Sequence, residues 1–177
     1  TYEVIEHLKD IRELILHTST PNVDILPAHI NLVAAEDELS DKEDREYMLK
    51  TALDTVRDAY DYILIDCSPS LGLMTINSLT AADSVIIPIQ CEYYALEGLG
   101  KLLSTIKSIQ KSYNPSLTYE GMLLTMFDPR LRLSNQVAEE VRTHFQNIVF
   151  KTVIQRNVKL GEAPSHGESI ISYDATS

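Results

Sequence analysis

One acidic side chain, Asp66, stands between a short apolar run at residues 62–65 and a turn-like segment. That segment contains Pro69 and Gly72, and an apolar helical pattern begins near Leu73. In an open α/β sheet, ligands bind at the carboxyl ends of the strands. A carboxylate placed there can hold Mg²⁺, directly or through water, beside nucleotide phosphates, because a hard cation prefers carboxylate oxygen. A helix N-cap or turn aspartate is the alternative role, and the local pattern alone does not choose between the two.

A phosphate-binding loop of the form Gly-x-x-x-x-Gly-Lys-Ser/Thr would complete such a site. The sequence has one Gly-Lys pair, Gly100-Lys101. Ala95 stands where the first glycine of the loop should be, and Leu102 stands where Ser or Thr should be. The pair also lies inside an apolar stripe of helical period, which indicates a structural role. The 177 residues therefore contain no phosphate cradle.

Apolar runs of strand length alternate with segments of helical period. The helical segments are residues 4–15, 48–56, 96–109 and 137–148. The tetrad that begins at Ser40 is interpreted as a capping box at a helix start, and Ser134 as the N-cap of the fourth helix. The predicted strands are residues 23–26, 62–65, 84–89, 122–126 and 152–154.

The predicted strands are continuously apolar, which is typical of strands covered on both faces. Their alternation with helices predicts an α/β fold whose mostly parallel sheet has helices on both sides. We find no repeat, low-complexity tract or linker, so residues 1–177 are interpreted as a single domain.

The charge is distributed unevenly along the chain. The net charge is −11; residues 1–66 carry 16 acidic and 6 basic residues, whereas residues 67–177 carry 10 and 9. An acidic protein is a poor default candidate for binding nucleic acid, so a DNA contact requires a local basic cluster. The second part of the chain supplies the candidates, which are Arg130, Arg132, Arg142, Lys151, Arg156 and Lys159.

Four ordered motifs resemble the ParA/Soj family of chromosome-partitioning ATPases. Residues 61–79, DYILIDCSPSLGLMTINSL, look like its Walker B and switch II region. The other three segments are IPIQCEYYALEGL at 87–99, LLTMFDPR at 123–130 and TVIQRNVKLGEAPSHG at 152–167. The resemblance covers essentially the whole chain and implies a P-loop NTPase-like fold that is incomplete at its N-terminus.

The resemblance implies an enzyme that hydrolyses ATP with Mg²⁺ and closes into a homodimer on binding ATP. The dimer would bind DNA without sequence preference, and a ParB-type partner would stimulate hydrolysis. We therefore expect a cytoplasmic, nucleoid-associated protein with no membrane contact. It further implies a segment of about 75 residues before Thr1, two βα units that carry the phosphate-binding loop. This chain alone is then expected to be inactive.

By the same resemblance, Asp66 matches the Walker B aspartate, with a catalytic and Mg²⁺-associated role. Pro69 and Gly72 match the switch II backbone that responds to the γ-phosphate. Ser68 departs from the proline that is usual there. Ordinary turn chemistry is the alternative role for Pro69 and Gly72, and both roles are compatible.

Further positions are carried over at the ends of two later strands. The nucleotide base is expected near Thr125, Met126, Asp128 and Gln155, with simple packing as the alternative for the first two. Arg130 and Arg156 match the positions that give Soj-like dimers their affinity for DNA, through phosphates rather than base edges. Without the resemblance, both arginines would be interpreted as solvated surface residues. Glu92 is assigned no chemistry.

Two other functions stay open on the sequence. A MinD-like ATPase would bind membrane through a C-terminal amphipathic helix with a basic polar face. The segment from Arg156 to Gly167 favours Soj instead. A non-enzymatic α/β module would lack the phosphate-binding loop altogether and would work through protein contacts. A glycine-rich loop with Lys-Thr encoded upstream would distinguish the ATPase from that module.

Overall fold

The computed structural model describes residues 1–5, 9–29, 32, 38–39, 41–67 and 72–176. The chain divides into two compact units. The first unit comprises residues 1–84 and 103–118, and the second comprises residues 85–102 and 119–177.

Residues 1–84 of the first unit form short helices and one small hairpin. The elements are α1 (Tyr2–Ile5), β1 (Leu16–His17), β2 (Asp24–Ile25), α2 (Met48–Asp54) and α3 (Leu73–Ala81), with 3₁₀ turns at Ile11–Glu13, Arg45–Tyr47 and Arg57–Ala59. Among the unit's described residues, one apolar core cluster contains Val4, Ile11 and Val56, and another contains Ile5, Leu39 and Met48. The helix predicted to begin near Leu73 is confirmed as α3.

Three strands, β3 (Ser84–Gln90), β4 (Thr118–Phe127) and β5 (Val149–Gln155), form a sheet in the order β3-β4-β5. The connecting helices are α4 (Ala95–Ser112) and α5 (Arg132–Phe145), and α6 (Val158–Glu162) and α7 (Ile170–Tyr173) follow β5. β4 and β5 pair in parallel. β3 also runs parallel to β4, since Thr118 N–H bonds the Asp83 carbonyl at one end and Cys91 N–H bonds the Thr125 carbonyl at the other. The predicted α/β class and these three strands are confirmed.

The buried apolar side chains of the second unit come from the strands and from the helices beside them. They include Ile87, Ile89, Leu99, Met122, Leu124, Val137 and Val141. Burial of such branched and long side chains supplies most of the driving force for packing helices on a sheet. The faces are less completely covered than the apolar runs predict, because Ile86 and Ile154 are 48% and 37% exposed.

Two predicted strands turn out differently. The run at 23–26 does contain β2, but β2 pairs antiparallel with β1 in a hairpin instead of joining the parallel sheet. The run at 62–65 carries no regular secondary structure, and Tyr62 and Leu64 are 87% and 88% exposed. A strand forms only where a neighbour pairs its backbone, and none of the described residues pairs with this run.

Both predicted helix caps are corrected as well. Ser40 lies outside the described residues, and the three residues that follow it are not helical. Asp44 has a left-handed backbone (φ 55°), which separates them from the 3₁₀ turn before α2. Ser134 is not an N-cap, because α5 begins at Arg132 and its N-cap is Leu131. Ser134 is instead buried, with longer-range partners that are described below.

Candidate functional site

Asp66 lies in the first unit, directly after the extended run at 62–65. Its side chain is exposed. Desolvation raises the pKa of the adjacent Cys67 thiol, and the Asp66 carboxylate raises it further. The described residues contain no cluster of three or more His, Cys, Asp or Glu side chains suited to a metal ion. A single exposed carboxylate still suits Mg²⁺, which keeps several waters and takes one or two carboxylates besides substrate phosphates.

The segment between Asp66 and α3 contains Pro69 and Gly72. Pro69 lies outside the described residues. Gly72 is the N-cap of α3, and its carbonyl accepts the Ile76 N–H at 3.2 Å. Its φ of −78° is open to other residue types, so the backbone conformation alone does not demand glycine here.

A buried amide anchors α3 within the first unit. Asn77 is 0% exposed, and its Oδ1 accepts the Leu49 N–H at 3.0 Å. Its Nδ2 donates to the carbonyls of Arg45 and Leu73. Asn77 thus caps the first turn of α2, where a helix has backbone N–H groups without partners. These bonds hold α3 in place.

The second unit brings the remaining candidate residues together where β4 and β5 end. Phe127 is opposite Gln155 in the parallel register, and the Arg156 N–H donates to the Phe127 carbonyl at 2.9 Å. Met126 has a left-handed backbone, with φ of 53°. Three steps along β4 match two along β5 there, from Leu124 to Phe127, which is a bulge. Bulges re-aim the residues that follow them, and here these residues are the candidate site.

Asp128 and Arg130 form a tightly bonded pair after β4. The Arg130 Nε and Nη2 donate to the two carboxylate oxygens at 2.9 and 2.7 Å, and its backbone N–H donates to Oδ1 at 3.0 Å. Asp128 is 7% exposed. These hydrogen bonds lower the pKa of Asp128 to about 2. Asp128 is therefore engaged with an arginine that the sequence assigned to a different role.

A second ion pair joins Arg156 to Glu92, which lies 64 residues earlier in the chain. The Arg156 Nη2 donates to the Glu92 Oε1, and both side chains are about half exposed. Ser134 supports the same region, because its Oγ donates to the Cys91 carbonyl at 3.0 Å and accepts the Asp128 N–H at 3.4 Å. Sequence reasoning assigned no chemistry to Glu92, and no local signal points to an ion pair across such a separation.

Thr125 and Gln155, two further candidates for the base-binding region, take part in the sheet mainly through their backbones. The Thr125 carbonyl is occupied by the Cys91 N–H, and its side chain is half-buried. Gln155 is exposed at the last position of β5. Thr125, Met126, Asp128, Gln155 and both arginines therefore share one end of the sheet in the second unit, whereas Asp66 and Gly72 belong to the first unit.

Comparison with known proteins identifies the family. The family described as "AAA domain" matches residues 1–119. The sporulation initiation inhibitor protein Soj of Bacillus subtilis is 54% identical over 99% of this chain, which spans 70% of Soj. The chain belongs to the ParA/Soj family. The chromosome partitioning protein ParA of Myxococcus xanthus is 49% identical over 99% of this chain, which spans 62% of that protein.

A solved structure has the same fold as this ParA/Soj chain. The structure described as cobyrinic acid a,c-diamide synthase from Mycobacterium smegmatis, with bound ADP and magnesium, superposes with a TM-score of 0.83. It is 36% identical, and the match covers 97% of this chain and 66% of that protein. The P-loop NTPase-like fold expected from the sequence is thus confirmed. In the described part of this ParA/Soj chain, no helix is both long enough and apolar enough to cross a membrane.

Proposed function

We propose that this chain forms part of a Soj/ParA-type partition ATPase. Such a protein hydrolyses ATP with Mg²⁺, dimerises on binding ATP and binds DNA without sequence preference. A ParB-type protein stimulates hydrolysis, and the ATPase acts in the cytoplasm on the nucleoid. The observation that carries this proposal is the 54% identity to Soj across 99% of the chain.

Asp66 is the proposed Mg²⁺-associated residue, holding the ion directly or through water. Its exposure and its place after the apolar run support that role. Bound Mg²⁺ would neutralise charge on the phosphates during transfer to water. Gly72, together with Pro69, would form the backbone that responds to the γ-phosphate. The Asn77 hydrogen bonds anchor α3, whose N-cap is Gly72.

The ends of β4 and β5 are the proposed base and DNA regions. Thr125, Met126, Asp128 and Gln155 would border the base, and the Met126 bulge orients this edge. Arg130 and Arg156 would contact DNA phosphates. This assignment is supported by the exposure of the two arginines and by their position at one end of the sheet in the second unit.

The 177 residues contain no Gly-x-x-x-x-Gly-Lys-Ser/Thr loop, so the first experiment tests whether ATP binding requires that loop. Mg²⁺-ATP is titrated calorimetrically into this chain and into a version extended upstream by the expected loop. We expect binding and hydrolysis from the extended version alone, because backbone N–H groups and a lysine of that loop cradle the phosphates. Binding to this chain at a similar affinity would contradict the proposed site.

A variant of the extended version tests Asp66. Asp66→Asn should lower kcat about 100-fold, the size of effect typical of removing one group that stabilises transition-state charge. The matched control is Asp61→Asn, which changes an exposed aspartate at the other end of the same apolar run. Equal losses in the two variants would show that Asp66 has no special role.

A further inference from the structure

The two arginines at the ends of β4 and β5 are both paired with carboxylates, but the pairs differ in kind. We propose that Glu92 is an intramolecular competitor for Arg156, which a DNA phosphate must displace before Arg156 can bind DNA. Glu92 thereby sets the DNA affinity of this surface. The inference rests on the proposed DNA-binding role of Arg156.

The Arg130 pair is the more extensively hydrogen-bonded of the two. Asp128 is 7% exposed, and it accepts three hydrogen bonds from the Arg130 side chain and backbone. Breaking this pair would leave a desolvated carboxylate without its partner, which is costly. The Arg130 side chain nevertheless remains 86% exposed. Asp128 therefore positions Arg130 and leaves much of its guanidinium open to a ligand.

The Arg156 pair is of the exchangeable kind. The Arg156 Nη2 donates to one Glu92 oxygen, and the side chains of Arg156 and Glu92 are 47% and 52% exposed. Exposed pairs of this type are weak, because water and salt compete with them. Glu92 regains water when Arg156 leaves it, so a phosphate can take its place at little cost.

Glu92 is nevertheless held close to Arg156 by the fold. Its neighbour Cys91 donates its N–H to Thr125 and accepts the Ser134 hydroxyl at its carbonyl. The Arg156 N–H is fixed to Phe127. The two backbones are thus anchored to β4 or its flanking residues, and the effective concentration of the Glu92 carboxylate at Arg156 stays high.

The pairing of the two arginines with carboxylates neutralises their charge. Glu92 and Asp128 balance Arg130 and Arg156, so these four residues together have no net charge. A surface of that kind attracts single phosphate groups poorly, because attraction and repulsion cancel beyond a short distance. A polyanion such as DNA gains from several contacts and from counterion release, and can therefore displace Glu92.

Binding of the ATP-loaded, upstream-extended version of this chain to a short DNA duplex, followed by fluorescence anisotropy at low ionic strength, tests the inference. Glu92→Gln should tighten binding about three-fold, the size expected from releasing an exposed ion pair. The matched control is Glu139→Gln, which changes the net charge by the same amount. Glu139 is an exposed carboxylate of α5 that forms no ion pair with the described residues. A gain of the same size in the control would overturn the inference.

A double variant separates this inference from the proposed function. Arg156→Ala should weaken binding, and Glu92→Gln should bring no gain in the Arg156→Ala background, because its effect runs through that side chain. If Arg156→Ala weakens binding but Glu92→Gln alone changes nothing, Arg156 binds DNA and Glu92 does not compete for it. If Arg156→Ala leaves binding unchanged, both the DNA-binding role of Arg156 and the competition by Glu92 are refuted.

A second readout requires no DNA. The guanidinium NMR resonances of Arg156 should shift in Glu92→Gln and stay in place in Glu139→Gln. Unchanged Arg156 resonances in Glu92→Gln would show that the pair does not form in solution, and would overturn the inference.

Discussion

Replacing Asn77 with alanine should destabilise the protein more than any surface change near it. The side chain is fully buried, and it makes three hydrogen bonds to the backbones of Leu49, Arg45 and Leu73 at 3.0, 2.8 and 3.1 Å. At about 1 kcal/mol net for each bond, the loss is about 3 kcal/mol. The buried Leu49 N–H, left without a partner, would add to that cost.

Urea denaturation followed by far-UV circular dichroism measures this difference in the free energy of unfolding. The matched control is Thr51→Ala, which removes the hydrogen bond that the exposed hydroxyl of Thr51, in α2, donates to the Tyr47 carbonyl. The control should change stability by less than about 0.5 kcal/mol, as surface substitutions usually do. A loss below about 1 kcal/mol in Asn77→Ala would refute the reasoning, because it is smaller than one unsatisfied buried donor costs.

A second substitution checks the direction of the hydrogen bonds. Asn77→Asp keeps an acceptor for the Leu49 N–H but turns the two donors toward Arg45 and Leu73 into an oxygen that repels their carbonyls. It should destabilise the protein at least as much as Asn77→Ala, since a buried charge without a partner is costly. An Asp variant that is more stable than the Ala variant would show that the donor bonds contribute little.

Two further changes test the second unit. Gly121→Ala should cost about 1–3 kcal/mol in urea denaturation, because an added Cβ would lie 2.8 Å from the Phe150 ring and 3.1 Å from the Ile148 carbonyl; a neutral result would contradict this close approach of β4 to β5. Asp128 ionises at a pKa of about 2, below its ordinary 3.8, so its pair with Arg130 stabilises the fold above pH 3.8 and is lost as the pH falls through about 2. The stability difference between the wild type and Asp128→Asn should therefore be constant above about pH 5 and shrink below it; a difference independent of pH down to the lowest pH at which the fold persists would contradict this.

The positions of β3, β4, β5 and α3 could be predicted from the sequence because the signals for them are local. Apolar runs bounded by turn residues indicate strands, and the glycine before Leu73 marks a helix start. The position of Asp66, after an apolar run and before a segment with Pro and Gly, could also be recognised from the sequence. The family motifs added roles to these positions, since they recur in a fixed order along the chain.

The partners of the site residues depended on the tertiary structure. Arg156 meets Glu92 across 64 residues of sequence, and Ser134 bonds Cys91 across 43. The left-handed backbone of Met126 belongs to a bulge that exists only once β4 pairs with β5. None of these contacts leaves a periodic trace in the sequence.

The run at 62–65 is a case in which the sequence predicts a strand that the tertiary structure does not form. Its composition predicts a strand, yet a strand is defined by hydrogen bonds to a neighbour, which composition cannot supply. The sequence by itself determined the three strands of the parallel sheet, the start of α3 and the family. Tertiary structure decided which charges are paired at the end of the sheet, because pairing depends on distances between segments remote in sequence.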